Sequence, residues 1–292
     1  MSVELSHLDS ASPRQLAEAY RYCSGVVHRA AGNFYYAFLL LPKEQRKGIH
    51  ALYAFCRAGD DAADEPGQVH DARSALNHLK RRLDGCYEGL YSDRLTLALA
   101  DAIRNFKFDR KDFDDLFLGI ESDLSLVRYQ TEVEQLQYCY RVASTVGLLC
   151  LKIFGANDEH DREYAVELGE GMQLTNILRD LREDHLRGRL YIPMSDLNAV
   201  GAKVSELFEP ERTAKLHQIV MINAERARQH FTRARAVMPP EHAGKLLAAR
   251  AMGVIYETIL ARIVKNPIST SRVELSRLEK LALVKSLVVG RA

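Results

Sequence analysis

Leu76-Asn-His-Leu79-Lys-Arg-Arg-Leu83-Asp-Gly-Cys-Tyr87-Glu-Gly-Leu90 sets its large apolar side chains at three- and four-residue steps. At about 100° of rotation per residue this spacing draws one apolar stripe along a helix, whereas a half-buried strand would alternate every second residue. The segment lies in a long stretch without proline, from Pro66 to Pro193. The remaining prolines, at 13, 42, 210, 239, 240 and 267, fall where the helical pattern breaks, because the ring removes a backbone donor. Extending the same reading outward predicts helices over about 13–31, 43–64, 69–90, 93–105, 110–126, 132–154, 158–185, 203–237, 240–265 and 274–289. Ser92 or Asp93, Thr131, and Asn157 or Asp158 are candidate N-caps. There is no hairpin signal, no βαβ pattern and no low-complexity linker. The expected fold is all-α, a single domain over 1–292 with a helical tail at 270–292.

Composition narrows the function. Forty basic and 39 acidic residues leave a net charge of +1, which argues against a nucleic-acid binder working through a broad basic field. Cys23, Cys56, Cys86, Cys139 and Cys150 show neither CxxC nor zinc spacing, and the ten histidines show no metal spacing. With a polar N-terminus that does not read as a signal peptide, the expected setting is a reducing cytoplasm. No apolar run approaches the roughly 20 residues of a membrane span, since Leu148–Phe154 and Leu281–Val289 are each broken by a lysine. The last segment, with Leu278, Leu281, Leu283, Val284, Leu287 and Val288 among Lys280, Lys285 and Arg291, reads either as a bundle cap or as a peripheral contact on the inner membrane face.

Two acidic motifs carry the chemistry. In Arg57-Ala-Gly-Asp60-Asp61-Ala-Ala-Asp64, Asp60 and Asp64 lie about 40° apart on one helix face, and Tyr53 and Arg57 share it. An arginine one turn before the acids can meet phosphate oxygens bidentately, or it can pair with Asp60 or Asp61 at little gain. An aromatic-dense stretch, Asn33-Phe34-Tyr35-Tyr36-Ala-Phe38, precedes it, and Phe34 and Tyr36 are candidate substrate contacts. In Gln173-Leu-Thr-Asn176-Ile-Leu-Arg-Asp180-Leu-Arg-Glu-Asp184, four oxygen-bearing side chains fall within roughly 80° of arc on an otherwise apolar helix. A solvated face would more often use Lys and Glu, and a buried charge needs a partner or a metal. Two such faces opposed across a helical bundle would suit Mg²⁺ (Mn²⁺ could replace it), which favours a carboxylate or two plus phosphate oxygens. The loop Arg187-Gly-Arg189-Leu-Tyr191-Ile-Pro193 could close on a phosphate, or could be a helix exit with arginines matched to the dipole.

Phe34–Pro42, Ala51–Asp61, Tyr138-Cys-Tyr-Arg-Val-Ala-Ser-Thr-Val-Gly147 and Gln173–Pro193 resemble, in the same order, the blocks of the squalene/phytoene synthase family, over about residues 20–265. Val237-Met-Pro-Pro-Glu-His, Ala251-Met-Gly-Val-Ile-Tyr256 and Ser271-Arg-Val-Glu-Leu-Ser are most similar to the bacterial presqualene diphosphate synthases of hopanoid pathways. The resemblance implies an isoprenoid synthase helical bundle with a central cavity. It implies that Asp60, Asp64, Asp180 and Asp184 are Mg²⁺–diphosphate ligands. Arg57, Gln173, Asn176, Arg189 and Tyr191 would hold diphosphate or shape the site, and Tyr53, Tyr138 and Tyr256 would surround the reacting carbons. Ala62-Ala63 departs from the bulkier aliphatics the family usually places between the first acids.

The reaction so implied is head-to-head condensation of two farnesyl diphosphates to presqualene diphosphate, with NADPH needed only for a further step to squalene. Gly169-Glu-Gly171 lies inside a predicted helix and reads as close packing rather than a dinucleotide loop. The small residues of Val142–Gly147 either make room for prenyl tails or bring helices together. Three rivals stand beside this reading: a phytoene synthase using geranylgeranyl diphosphate, a class I terpene cyclase, and a non-catalytic assembly relative. The cyclase is disfavoured because the second motif lacks the Ser/Thr and Glu arrangement. The scaffold is disfavoured because all four acids are kept. Downstream isoprenoid enzymes are the other partners the resemblance suggests.

Overall fold

The computed structural model describes residues 5–64, 69–125, 128–209, 213–267 and 271–290. It is 77% helical, and its only named strands among the described residues are the two-residue pair Ser6–His7 and Leu90–Tyr91, antiparallel to each other. The chain packs as two compact units, one of residues up to 124 with 149–156, the other of 125–148 with 157 onward.

The first unit holds α1 (Pro13–Ala30), α2 (Tyr35–Phe38), α3 (Lys43–Asp64), α4 (Val69–Tyr87), α5 (Arg94–Phe106) and α6 (Arg110–Ser122). Local chemistry starts these helices where the sequence says they should start. Ser12 and Gln15 form a reciprocal capping box with Pro13 at the first helical position, and Asp93 does the same with Thr96. Lys107, in the left-handed conformation at φ 55°, ends α5. The apolar faces of α1 and α5 close on α3, burying Val27, Leu52, Phe55 and Leu99. Tyr20 Oη donates to the buried Asp101 Oδ2 at 2.6 Å, so this core charge has a partner. Gly48 lies against the Phe106 ring, which would have to shift to admit a Cβ.

His50 gives this unit an acid-sensitive position. It sits on α3 with its ring 6.2 Å from Phe38, and burial, aided by nearby Arg46, lowers its pKa from the usual 6.5 to about 4. Between these values the unfolded chain binds a proton that the folded chain refuses, so stability rises with pH across that window. The contribution is complete above pH 6.5 and is lost as pH falls towards 4. Denaturant titrations of wild type and His50→Gln from pH 8 down to 4 should therefore converge at the acid end, because the variant lacks this slope.

The second unit contains α7 (Glu132–Cys139), a π-helical turn (Tyr140–Ser144), the start of α8 (Thr145–Phe154), α9 (Glu159–Leu186), α10 (Met194–Ala199), α11 (Thr213–Val237), α12 (Leu247–Lys265) and α13 (Arg277–Val288). Asp158 caps α9 through a reciprocal box with Asp161, and Thr131 caps α7. The 28-residue α9 is the axis of the unit, with α11, α12 and the π turn packed against it. Gly169 lets the π turn approach: a Cβ would stand 2.7 Å from Ser144 Cα and 2.8 Å from its backbone nitrogen. Gly147 meets Ala165 in the same way, at 3.1 Å from its carbonyl oxygen. Close packing is thus the role of Gly169, Ser144 and Gly147.

Several predicted boundaries move. The helix expected over 132–154 is interrupted by the π turn. The one expected from 203 begins at Thr213, beyond a 3₁₀ turn at Val204–Glu206, because Pro210 cannot continue a helix. Likewise Pro240–His242 is a 3₁₀ turn and α12 starts at Leu247. Helices α2 and α10, of four and six residues, are too short for periodicity to reveal. All five cysteines are free thiols, four of them buried.

Candidate active site

The first acidic face ends α3. Arg57 pairs with Asp61 one turn on, at 2.6 Å, and Asp60 is exposed beside them. The Arg57–Asp61 pair keeps the guanidinium charged, against the opposing effect of burial, yet both side chains are about half exposed. Its contribution to stability is therefore small, about 0.3–0.5 kcal/mol, and Arg57 is readily surrendered to a stronger anion. Asp64 is the last residue of α3, and its side chain lies outside the described residues. One turn earlier the predicted aromatics do meet: Tyr53 packs against Phe34 (ring centroids 6.3 Å) and Phe38 (6.2 Å). Tyr36 is half-buried and stands edge-on to Tyr35 at 5.5 Å.

The second face runs along α9. Asn176 Nδ2 donates to Gln173 Oε1 at 3.1 Å, which turns Asn176 Oδ1 the other way. That oxygen is buried without a hydrogen-bond partner. An unmet acceptor of this kind is costly in a finished core and is the donor a hard cation takes. Asp180 stands one turn on, clasped from two sides. Arg179 donates through Nε and Nη2 at 2.9 and 2.5 Å, and Arg272 through Nε and Nη2 at 2.7 and 3.2 Å. Burial opposes the Asp180 charge, but the two guanidinium groups outweigh it and hold its carboxyl below the usual range. Arg179 also hydrogen-bonds Tyr256, which is buried, so Tyr256, Arg179, Asp180 and Arg272 form one chain of contacts. Asp184 is half-buried at the end of the stripe, and its carbonyl accepts the Arg189 N–H at 2.8 Å.

The segment after α9 is anchored at its far end. Gly188 turns the chain at φ 77°, Arg187 is exposed and Arg189 half-buried, whereas Leu190, Tyr191 and Ile192 are buried. Tyr191 stacks on Tyr138 with centroids 4.9 Å apart and planes at 18°, and Tyr129 completes the group at 5.5 Å from Tyr138. Gln135, fully buried, donates to the Tyr191 carbonyl at 3.0 Å and to Asn223 at 3.2 Å. Asn223 in turn reaches Asp196, itself held by Arg226. Tyr191 is thus fixed by a buried polar network and not left on a free flap.

Arg179, Arg272, Tyr129 and Gln135 escaped the sequence reading. Arg179 lies about 100° off the Asp180 stripe and joins it only through its long side chain. Arg272 is 92 residues away, and no local pattern announces the contact. The histidines do find acids in space. His230 contacts Glu167 (2.7 Å) and Glu170 (3.1 Å), and His242 contacts Asp161 (2.9 Å) and Asp158 (3.4 Å). Those two clusters are the ones among the described residues whose spacing could hold a metal, and neither includes Asp60, Asp180 or Asp184. In the first, Arg233 also pairs with Glu167 (2.9 Å), so a guanidinium of the protein already serves that acid.

A profile of the squalene/phytoene synthase family matches residues 27–279. The chain belongs to that family. It is accordingly a prenyltransferase-type isoprenoid synthase acting on prenyl diphosphates, with the all-α fold of the group. The phytoene synthase of an Oncidium hybrid cultivar is 34% identical over 277 residues, covering 92% of this chain and 67% of the relative. A dehydrosqualene synthase solved with a ligand superposes with a TM-score of 0.85 at 27% identity, covering 95% of this chain and 98% of the other. The squalene synthase HpnC of Alicyclobacillus acidocaldarius gives 0.78 at 26% identity, covering 88% and 97%. No helix among the described residues is long and apolar enough to cross a membrane.

Proposed function

We propose that this squalene/phytoene synthase joins two farnesyl diphosphates head to head, giving presqualene diphosphate. The observation that carries a diphosphate chemistry is the α9 stripe: the unmet Asn176 Oδ1 in line with Asp180 and Asp184, with Arg179 and Arg272 gathered on the middle acid. These α9 oxygens suit Mg²⁺, whose chemistry there would be to neutralise charge on the departing diphosphate, and the family resemblance gives Asp60 and Asp64 the same task.

The protein's own groups do the rest. Arg57, Arg179, Arg189 and Arg272 supply guanidinium donors to phosphate oxygens, the geometry for which arginine is suited. As the C1–O bond of the first substrate breaks, the electron pair leaves with diphosphate. The double bond of the second substrate attacks C1, and loss of one proton closes the cyclopropane, with the second diphosphate retained. The aromatic faces of Tyr53, Phe34, Tyr138, Tyr191 and Tyr256 would keep water from the allylic cation and stabilise it. Gln173 holds the Asn176 amide in orientation. NADPH enters only if hydride is added to carry the product on to squalene.

The farnesyl substrate is favoured by the Val237–His242, Ala251–Tyr256 and Ser271–Ser276 segments and by likeness to the dehydrosqualene and squalene synthase structures. Phytoene synthesis from geranylgeranyl diphosphate is the second reading, favoured by the 34% identity to a phytoene synthase. Product analysis with Mg²⁺ and each substrate, with and without NADPH, separates them. The expected result is a cyclopropyl diphosphate from farnesyl diphosphate whether or not NADPH is present. Product only from geranylgeranyl diphosphate would replace this reading with the second, and no product from either would leave an assembly factor.

A further inference from the structure

Helix α13 is apolar on both sides. Val284 and Leu287 are buried against the second unit, while Leu278, Leu281, Val288 and Val289 are 78%, 46%, 55% and 61% exposed. At about 100° per residue these four, with Ala282 and Lys285, fall within an arc of roughly 120°. The helix is also well made. Ser276 and Glu279 form a reciprocal capping box, and Arg262 holds Glu279 from α12. An ordered helix that buries one apolar edge and leaves a second one open indicates a surface that covers the open edge.

Charge decides between the candidates. Glu279 is the only acid on α13, and it is committed to Arg262 and to the cap. The open face then carries only cations, Lys285 within the stripe and Arg277 at its edge, both exposed. Pairing this face with a second copy about a two-fold axis would set like charges together. An anionic lipid surface complements it, with apolar side chains entering the acyl boundary and the cations meeting headgroup phosphates. We propose that α13 is a docking helix that seats the protein on an anionic bilayer through Leu278, Leu281, Val288 and Val289, with Lys285 and Arg277 on the headgroups. This holds whichever prenyl diphosphate is the substrate, and its readout is independent of turnover.

Co-sedimentation of the full chain with phosphatidylcholine vesicles, with and without phosphatidylglycerol, tests it. Wild type should bind the mixed vesicles about thirty-fold more tightly than the neutral ones, as two cations near the surface imply. Leu281→Gln with Val288→Gln should weaken that binding about ten-fold, through lost apolar burial, without changing the melting temperature. Val133→Gln, at an apolar residue 75% exposed elsewhere, should change nothing. Should the double variant melt early, Lys285→Gln substitutes for it, with an expected loss of about five-fold. Absence of wild-type binding, or binding unchanged in the stripe variants, overturns the proposal. So does wild-type dimerisation in the ultracentrifuge that the double variant abolishes, which would assign the stripe to a second copy.

Discussion

Asp180→Asn is expected to lower turnover by about 10²–10³-fold, the scale on which a single preorganised charge stabiliser acts. Asp180 receives two hydrogen bonds from Arg179 and two from Arg272. An amide keeps the shape but turns a donor towards a guanidinium that is itself only a donor, and it removes the charge that gathers both arginines. The same change should cost about 2 kcal/mol of stability, below the 3–5 of a fully buried pair because Arg272 is partly exposed. The pH dependence has a definite sign. The folded-state pKa of Asp180 is depressed, so its contribution is present above the ordinary carboxylate range and is lost as pH falls through the lowered value. Asp180→Asn should therefore flatten the acid limb of the stability curve. Asp61→Asn is the comparison: its pair with Arg57 is about half exposed on both sides, and its loss should cost no more than about 0.5 kcal/mol. Steady-state kinetics with farnesyl diphosphate and denaturant titrations on both variants make the measurement. Near wild-type turnover in Asp180→Asn would remove Asp180 from the active site.

The parts of this molecule that a period can express were legible in its sequence. The helices over 13–30, 43–64 and 159–186 follow the apolar spacing, and Asp93, Thr131 and Asp158 cap where short polar side chains precede it. The Gln173–Asp184 stripe was legible for the same reason, since its members share one helix and so one angle. Contacts made by reach or by long loops were not. Arg272 finds Asp180 across 92 residues, and Gln135 fixes Tyr191 across 56. The π turn at Tyr140–Ser144 was hidden for a different reason. It breaks an otherwise continuous helical pattern by one residue in pitch, and its partner is a glycine, which has no side chain to enter a pattern.

That glycine supports the second large effect. Gly169→Ala should cost about 3 kcal/mol and lower the unfolding temperature by about 6–12 °C, the upper end of overpacking penalties in a domain of this size. The new Cβ would stand 2.7 Å from Ser144 Cα, 2.8 Å from its nitrogen and 2.9 Å from its hydroxyl. Two of those three atoms are backbone, so no rotamer change relieves the clash, and either α9 or the π turn must move. Ser144 is itself tied to α9 by its hydroxyl, which donates to the Val166 carbonyl at 2.9 Å, so a shift also strains that bond. Gln173 follows Gly169 by one turn on the same helix, and a displacement there carries the Gln173–Asn176–Asp180 stripe with it. Turnover should then fall along with stability even well below the melting temperature. Gly171→Ala gives a graded comparison: its Cβ would meet the Phe231 ring at 3.2 Å, a side chain that can yield, and the cost should be nearer 1 kcal/mol. Gly244→Ala, with nothing within 4 Å, should be neutral or stabilise by up to about 1 kcal/mol by restricting the unfolded chain. Thermal melts of the three variants should rank Gly169, Gly171, Gly244 in falling severity. Equal, small losses at Gly169 and Gly244 would show that α9 and the π turn are not held backbone to backbone.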